Sequence, residues 1–174
     1  MSSSDKFAGF SLIEVVIAAG IFAVAVTVTV ALLPSLARQS TDSADTLAAQ
    51  RLPDNLRVEL QRLAAGNFTG LAATVPVMAA PLANGFDFVA TRDGSRLHSA
   101  TYLPPVGSAL IPQEDQYFAV EVWRFAQAPL SYDSAAAILP LYVRVSWPYR
   151  NPGNAIPTAL VDRSRLTFTI TINR

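Results

Sequence analysis

The chain has 174 residues, of which 51% are hydrophobic and 15% charged, and its 13 Lys and Arg balance 13 Asp and Glu. That length suits one domain with a modest core and one additional segment, and a zero net charge without a clustered basic surface makes nucleic acid a poor partner. Because the chain has no cysteine, disulfides, zinc–thiolate clusters and a thiol nucleophile are excluded.

A long apolar run lies near the N-terminus. Residues 15–37 contain no charged residue, and as a helix these 23 positions reach roughly 34 Å, enough to cross a hydrocarbon layer of about 30 Å. One carboxylate, Glu14, lies at the entrance of the run. An ionised side chain inside a bilayer costs about 2.5–3.5 kcal/mol on insertion scales, so the pattern predicts a membrane span whose single acid has a function.

Two simpler interpretations fit this run less well. A cleaved secretory signal would place its cleavage site at residues 35–37, but its apolar region is normally about 7–15 residues long. The one basic residue before the run, Lys6, also lies next to Asp5. An ordinary signal anchor explains the length of the run but leaves Glu14 without a cationic partner.

A cut between Gly9 and Phe10 supplies the missing cation. The new α-amino group of Phe10 lies four residues before Glu14, about one helical turn, so the amine and the carboxylate are able to neutralise each other. The amine of a neighbouring subunit is an alternative partner. The helix dipole also favours a carboxylate in the first turn of a helix.

The residues around this cut resemble the class III signal of type IV pilins and type II secretion pseudopilins. The segment GFSLIEV combines a glycine, an aromatic residue, a Leu-Ile pair and an acid at fixed offsets, directly before the apolar run. The resemblance implies that a prepilin peptidase cleaves after Gly9 and N-methylates Phe10. It also implies that Glu14 pairs with the N-terminal amine of a neighbouring subunit during assembly.

The same resemblance implies an α+β, pilin-like fold, in which a long N-terminal α-helix packs on a C-terminal antiparallel β-sheet. Residues 1–9 are then a leader that is removed, residues 10–37 the transmembrane and assembly helix, residues 38–66 its amphipathic continuation, and residues 67–174 a periplasmic antiparallel β domain. The expected location is the inner membrane, crossed once. The implied partners are other pilin or pseudopilin subunits, the prepilin peptidase and the inner-membrane assembly platform, and the helix is most like that of the I-type pseudopilin and its pilus counterpart.

The helical pattern continues beyond the apolar run. Leu52, Leu56, Leu60 and Leu63 follow one another at spacings of four, four and three residues, which places them in one apolar stripe. Gly66 is a suitable stop for this helix. We therefore predict an amphipathic helix that ends near residue 65.

Two prolines fall within the predicted helix. Pro34 and Pro53 each remove a backbone hydrogen bond and favour a kink or a local break. The alternative is that Pro53 begins a separate helix. The proposed assembly function does not depend on which of these holds.

The remainder of the chain has the period of β-strands. Asp93-Gly94 lies between two alternating segments, which is a strong signal for a β-hairpin. Residues 117–125, 141–147 and 165–172 also alternate with period two, so each is expected to direct one face to a core and one to solvent. Together these segments predict an antiparallel sheet of four or five strands with the amphipathic helix laid over it.

Catalytic and metal-binding patterns do not emerge from the sequence. The single histidine, His98, is predicted to be a solvent-facing strand residue. Asp42 and Asp45 are expected on a solvated helix face and Glu114 and Asp115 in a loop, and neither pair has the spacing of a calcium loop. We therefore predict no catalytic residue, no metal site and no cofactor, and a protein that is not an enzyme.

Two functions from different classes follow from these patterns. The first is a minor pilin or pseudopilin, a structural subunit whose apolar helices pack in a filament while Glu14 sets their register. The second is a membrane-anchored periplasmic binding module, whose β domain captures an exoprotein, DNA or a surface ligand. One minor subunit is able to combine both functions.

Overall fold

One long helix followed by five β-strands makes up the described part of the chain. The computed structural model describes residues 11–79, 84–99, 110–150 and 157–174. In chain order the elements are α1 (Leu12–Thr74), β1 (Phe86–Ala90), β2 (Leu97–Ser99), β3 (Phe118–Arg124), β4 (Ile138–Trp147) and β5 (Ser164–Asn173), with short 3₁₀ turns at Gln113–Asp115 and Leu160–Asp162. The chain forms two compact units, Met1–Ser43 and Ala44–Arg174, and α1 contributes residues to each.

Helix α1 differs from its predicted course at the prolines and at its end. It runs through Pro34 and Pro53 with helical backbone angles, so Pro53 does not begin a separate helix. The residue with non-helical angles is Asn67 (φ −163°, ψ 85°), and the helix resumes after it, continuing past the predicted stop at Gly66 to Thr74. The Asn67 Oδ1 accepts a hydrogen bond from the Gly70 N–H at 2.8 Å, so its side chain caps the resumed helix.

The five strands form one antiparallel sheet in the order β2-β1-β3-β4-β5. This confirms the predicted α+β architecture. The hairpin predicted at Asp93-Gly94 joins β1 to β2, with Val89 opposite His98. Gly94 has φ 68°, a backbone conformation that glycine adopts without strain, which explains why a glycine occupies this turn.

The core of the unit Ala44–Arg174 lies between the leucine stripe of α1 and one face of the sheet. Leu52, Leu56 and Leu60 are fully buried, and Leu63 packs against them while partly exposed. The stripe was predicted from its spacing alone, and the burial of these leucines confirms it. The alternate residues of the strands complete the core, chiefly Phe88, Phe118, Val120, Val122, Leu141, Val143 and Ile172.

The opposite face of the sheet carries a partly buried row of charges. Asp87, Glu121 and Arg144 occupy successive cross-strand positions on β1, β3 and β4. Arg144 donates from Nε at 2.8 Å and from Nη2 at 2.6 Å, both to Glu121 Oε2. The Oδ1 of Asp87 is buried and has no hydrogen-bond partner in the described part of the chain. Burial, and secondarily the negative charge of Glu121, raises the pKa of Asp87 from 3.8 to about 6, although Arg144 acts in the opposite direction.

The raised pKa of Asp87 predicts a pH-dependent penalty on folding. The folded state holds the proton between about pH 3.8 and 6 while the unfolded state releases it, so the stability contribution of this group falls as pH rises through that window and stays low above it. We expect Asp87→Asn to increase the free energy of unfolding by about 1–2 kcal/mol at pH 7.5, discounted for partial exposure, and to have little effect at pH 4. Urea unfolding at both pH values measures this.

Asp54→Asn is the matched control for this prediction, because Asp54 lies on the exposed face of α1. Asp54→Asn also removes one negative charge, but from an exposed position. We therefore expect the free energy of unfolding to change by no more than about 0.5 kcal/mol at either pH. An equal effect of Asp87→Asn at pH 4 and pH 7.5 would contradict the assigned cause.

Candidate functional site

The N-terminal end of α1 carries the residues that the sequence singled out. Gly9 and Phe10 lie outside the described residues. Ser11 and Glu14 form a reciprocal pair: the Ser11 N–H donates to Glu14 Oε2 at 3.4 Å, and the Glu14 N–H donates to Ser11 Oγ at 3.3 Å. This Ser-x-x-Glu arrangement is a capping box, and it holds the carboxylate in the first turn, where the helix dipole favours negative charge.

The helix that follows Glu14 is apolar and exposed on every side within its own unit. One described helix is long and apolar enough to cross a membrane, with a mean hydropathy of 2.7 over its most apolar window and none of that window buried. Its exposed large side chains include Leu12, Ile13, Val16, Ile21, Phe22, Val24, Val30, Leu33 and Leu36. Such a surface is stable in lipid or against other apolar helices, which suits membrane anchoring.

Hydroxyl groups within the apolar run bond to the helix itself. Thr27 Oγ1 donates to the Ala23 carbonyl at 2.8 Å, and Thr29 Oγ1 donates to the Ala25 carbonyl at 2.9 Å. These side chains therefore expose no unsatisfied donor to an apolar surrounding. Glu14 remains as the one ionisable side chain of residues 12–37.

A second polar cluster, which the sequence did not reveal, lies in the unit Ala44–Arg174. Asp45 was predicted on a solvated helix face, but the residue is buried, with 8% of its side chain exposed, so this prediction was wrong. Arg92 donates from Nε to Asp45 Oδ1 at 2.9 Å and from Nη2 to Asp45 Oδ2 at 3.0 Å. The Tyr117 hydroxyl donates to Asp45 Oδ2 at 2.6 Å, and the Arg92 guanidinium lies 4.8 Å from the centre of the Tyr117 ring.

The electrostatics of this cluster favour the ionised acid. Burial acts to raise the pKa of Asp45, but the hydrogen bonds from Arg92 and Tyr117 and the positive charge of Arg92 outweigh burial, and the pKa lies below its usual value. Asp45 therefore stays charged at neutral pH and joins α1 to the β1–β2 turn and to Tyr117, the residue directly before β3.

The β1–β2 turn also contacts α1 through its backbone. The Asn55 side-chain amide donates to the Gly94 carbonyl at 2.8 Å. A Cβ at Gly94 would lie 3.4 Å from the Ala48 carbonyl oxygen, so the turn approaches the helix closely. The sequence indicated this contact only in part. A glycine in the turn permits another segment to approach its backbone closely, but the sequence did not show that this segment is α1.

The remaining polar candidates are not brought together. His98 is partly buried rather than solvent-facing; its Nδ1 lies 3.0 Å from the Ser99 carbonyl oxygen, and its Nε2 is buried without a partner in the described residues. Glu114 and Asp115 lie on an exposed 3₁₀ turn. Across residues 11–79, 84–99, 110–150 and 157–174, no three His, Cys, Asp or Glu side chains form a group able to hold a metal ion.

A protein-family model matches the N-terminal part of the chain. The prokaryotic N-terminal methylation motif matches residues 4–30, which include Gly9, Phe10 and Glu14. This match supports the resemblance to type IV pilins and pseudopilins, whose subunits are structural, assemble with other pilin subunits and are processed by a prepilin peptidase. No curated protein and no solved structure matches the chain.

The Asp45 cluster predicts a measurable coupling between α1 and the β1–β2 turn. Arg92→Ala leaves a buried carboxylate without its cation, so we expect the free energy of unfolding to fall by about 2–4 kcal/mol at pH 7. In a double-mutant cycle with Asp45→Asn, the coupling energy is expected to be about 1–3 kcal/mol and to disappear once the pH falls below the lowered pKa of Asp45. Arg51→Ala, on the exposed face of α1, is the control and should change stability by less than about 0.5 kcal/mol.

Proposed function

We propose that this protein is a minor pilin or pseudopilin, a structural subunit of a pilus-like or type II secretion filament that is cleaved after Gly9 and assembled through its N-terminal helix. The observation that carries the proposal is the methylation motif over residues 4–30, placed on an exposed apolar helix with a single carboxylate at its start. Within the family, the helix sequence is most like that of the I type.

In the proposed pathway the protein first resides in the inner membrane. Residues 1–9 form the leader, residues 10–37 cross the membrane and residues 38–174 lie in the periplasm. Cleavage frees the α-amino group of Phe10, and the prepilin peptidase methylates it. The platform of the assembly machine then extracts the subunit, and apolar helices of neighbouring subunits take the place of lipid around its N-terminal segment.

Glu14 sets the alignment of neighbouring helices in this assembly. The capping box with Ser11 holds the carboxylate at the helix N-terminus, close in sequence to the amine that cleavage creates. Pairing with the Phe10 amine of a neighbour neutralises both charges in an apolar surrounding. A subunit docked out of register would leave the carboxylate unpaired, which costs several kcal/mol, so the pairing selects the correct position.

A cavity in the unit Ala44–Arg174 supports the second candidate function, capture of cargo by a membrane-anchored periplasmic binding module. The cavity has a volume of about 250 Å³ and lies where α1 is interrupted at Asn67. Its walls are mostly apolar and are formed by Leu63, Asn67, Gly70, Leu71, Thr74 and Phe86. A ligand bound there would not require Glu14, so the two functions respond differently to the same substitution.

The processing proposal predicts the effect of a change at the cut. When the chain is expressed with a prepilin peptidase, Gly9→Ala should retain residues 1–9, because the substitution changes the residue that the motif places directly before the proposed scissile bond. Intact-mass measurement and N-terminal sequencing detect the retained leader and the missing methyl group. Gly20→Ala is the control, since nothing lies within 4 Å of the added methyl group, and it should be cleaved normally. Normal cleavage of Gly9→Ala would remove the main support for this pathway.

The assembly proposal predicts that charge at residue 14, and not capping, is what assembly needs. Glu14→Gln keeps an oxygen that is able to accept the Ser11 N–H but removes the charge, whereas Ser11→Ala keeps the charge and removes the hydroxyl of the cap. We expect Glu14→Gln and Glu14→Val to insert normally and to enter filaments at least tenfold less than the wild type. Ser11→Ala should remain within about twofold.

Quantitative immunoblotting of sheared filaments, with membrane fractions as the loading reference, measures incorporation of each variant. Normal incorporation of Glu14→Gln would refute the charge pairing. If cargo binding persists in variants that no longer assemble, the binding module is the better description of the β domain.

A further inference from the structure

Strand β5 is an edge of the sheet. The strand order ends with β5, which pairs along its ten residues with β4 and has no strand on its other side within the described residues. The pairing runs in continuous register from Ser164 opposite Trp147 to Asn173 opposite Ile138. A long, regular edge presents unpaired backbone groups that another extended segment is able to pair with.

The hydrogen-bond pattern identifies which backbone groups of β5 point outward. The Arg174 N–H donates to the Ala137 carbonyl at 2.8 Å, and these residues directly continue the register of the two strands. Hydrogen-bonded pairs alternate along an antiparallel ladder, so the even-numbered residues from 164 to 172 bond to β4. The N–H and C=O groups of the odd-numbered residues, 165 to 173, therefore point away from the sheet.

One of these outward positions is already occupied by α1. Arg57 donates from Nε to the Thr171 carbonyl and from Nη2 to Thr171 Oγ1, each at 3.3 Å. Arg165, Thr167 and Thr169 are exposed, and their outward backbone groups make no hydrogen bond in the described part of the chain. The open stretch of the edge therefore covers residues 165–169.

The side chains along this stretch differ between its two faces. Leu166 and Phe168 lie on the core side and are half-buried, so a segment placed beside β5 would cover the rest of their apolar surface. On the other side Arg165 is exposed, and within the described residues neither Arg165 nor Arg57 has a carboxylate within ion-pair distance. The edge thus combines apolar contacts on one face with unpaired positive charge.

We propose that β5 binds an extended segment of a different protein by strand addition, and that this segment carries apolar residues toward the core face and acidic residues toward Arg165. A second copy of β5 is disfavoured as the occupant. Antiparallel pairing of two copies centred on Phe168 places Arg165 of one copy opposite Thr171 of the other, where the other copy's Arg57 already binds. Two guanidinium groups would then lie side by side without an acid between them.

The proposal is independent of processing and of Glu14, because the residues that carry it lie on β5 and at Arg57 of α1, outside the N-terminal segment. The full chain in detergent micelles is titrated with a nine-residue peptide of alternating glutamate and valine, and with its lysine–valine counterpart. We expect the acidic peptide to bind and the basic peptide to bind at least tenfold more weakly. Amide hydrogen exchange, read residue by residue by NMR, should slow at Thr167 and Thr169, whose N–H groups point outward.

Two variants and one control locate the binding. Thr169→Pro removes an outward N–H that makes no ladder bond to β4, a position where an edge strand tolerates proline. Arg165→Glu reverses the charge beside the edge. Each substitution should lower the affinity for the acidic peptide at least tenfold. Arg51→Glu makes the same charge change on the exposed face of α1 and should leave the affinity within twofold.

Several results would overturn the proposal. These are absence of binding by the acidic peptide, equal binding by the basic peptide, unchanged affinity in Arg165→Glu, and slowed exchange outside β5. A dimer in sedimentation analysis that Thr169→Pro dissociates would instead assign the edge to a second copy. If near-ultraviolet circular dichroism shows that Thr169→Pro has lost its packing, Arg165→Glu with its control decides the outcome.

Discussion

Burial of the leucine stripe on α1 is the interaction on which the unit Ala44–Arg174 depends. Leu52, Leu56 and Leu60 are fully buried against the sheet, and each contributes about 1.5–3 kcal/mol relative to an exposed position. Hydrophobic burial is non-directional, so it does not by itself set which residues of α1 face which residues of the sheet. The Asp45–Arg92 pair and the Asn55 hydrogen bond to Gly94 supply that direction, because each requires one particular residue of α1 at the β1–β2 turn.

The same helix presents two different apolar surfaces. Between residues 44 and 74 its large apolar side chains lie mainly on one buried stripe, whereas those between residues 12 and 36 are exposed all round. The first pattern is that of a helix packed on a sheet, and the second is that of a helix surrounded by lipid or by other helices. The hydroxyls of Thr27 and Thr29, turned onto the backbone, suit the second environment as well.

Three carboxylates show how position decides what a charge does in this fold. Glu14 caps the first turn of α1. In the proposed function it pairs with an amine that cleavage creates. Asp45 is buried with an arginine and a tyrosine, so its pKa is lowered and it strengthens the fold at neutral pH. Asp87 is partly buried beside Glu121, and its Oδ1 has no hydrogen-bond partner among the described residues. Its pKa is therefore raised to about 6, and its charge weakens the fold at neutral pH.

Features that depend on local spacing were predictable from the amino-acid sequence. The uncharged run, the acid at its start, the leucine stripe, the β1–β2 hairpin and the strand alternation are all periodic or adjacent patterns, and the α+β fold they predicted is the one observed. Gly9 and Phe10 stay predictions from the motif, since they lie outside the described residues.

Features that join distant residues depend instead on how the chain folds as a whole. Asp45 became buried because Arg92 and Tyr117, 47 and 72 residues away, close over it. The helix passed Gly66 because the Asn67 side chain capped its continuation. The position of β5 at the open edge follows from the order of the whole sheet. Local sequence does not predict that order, because any alternating strand is able to pair on both sides.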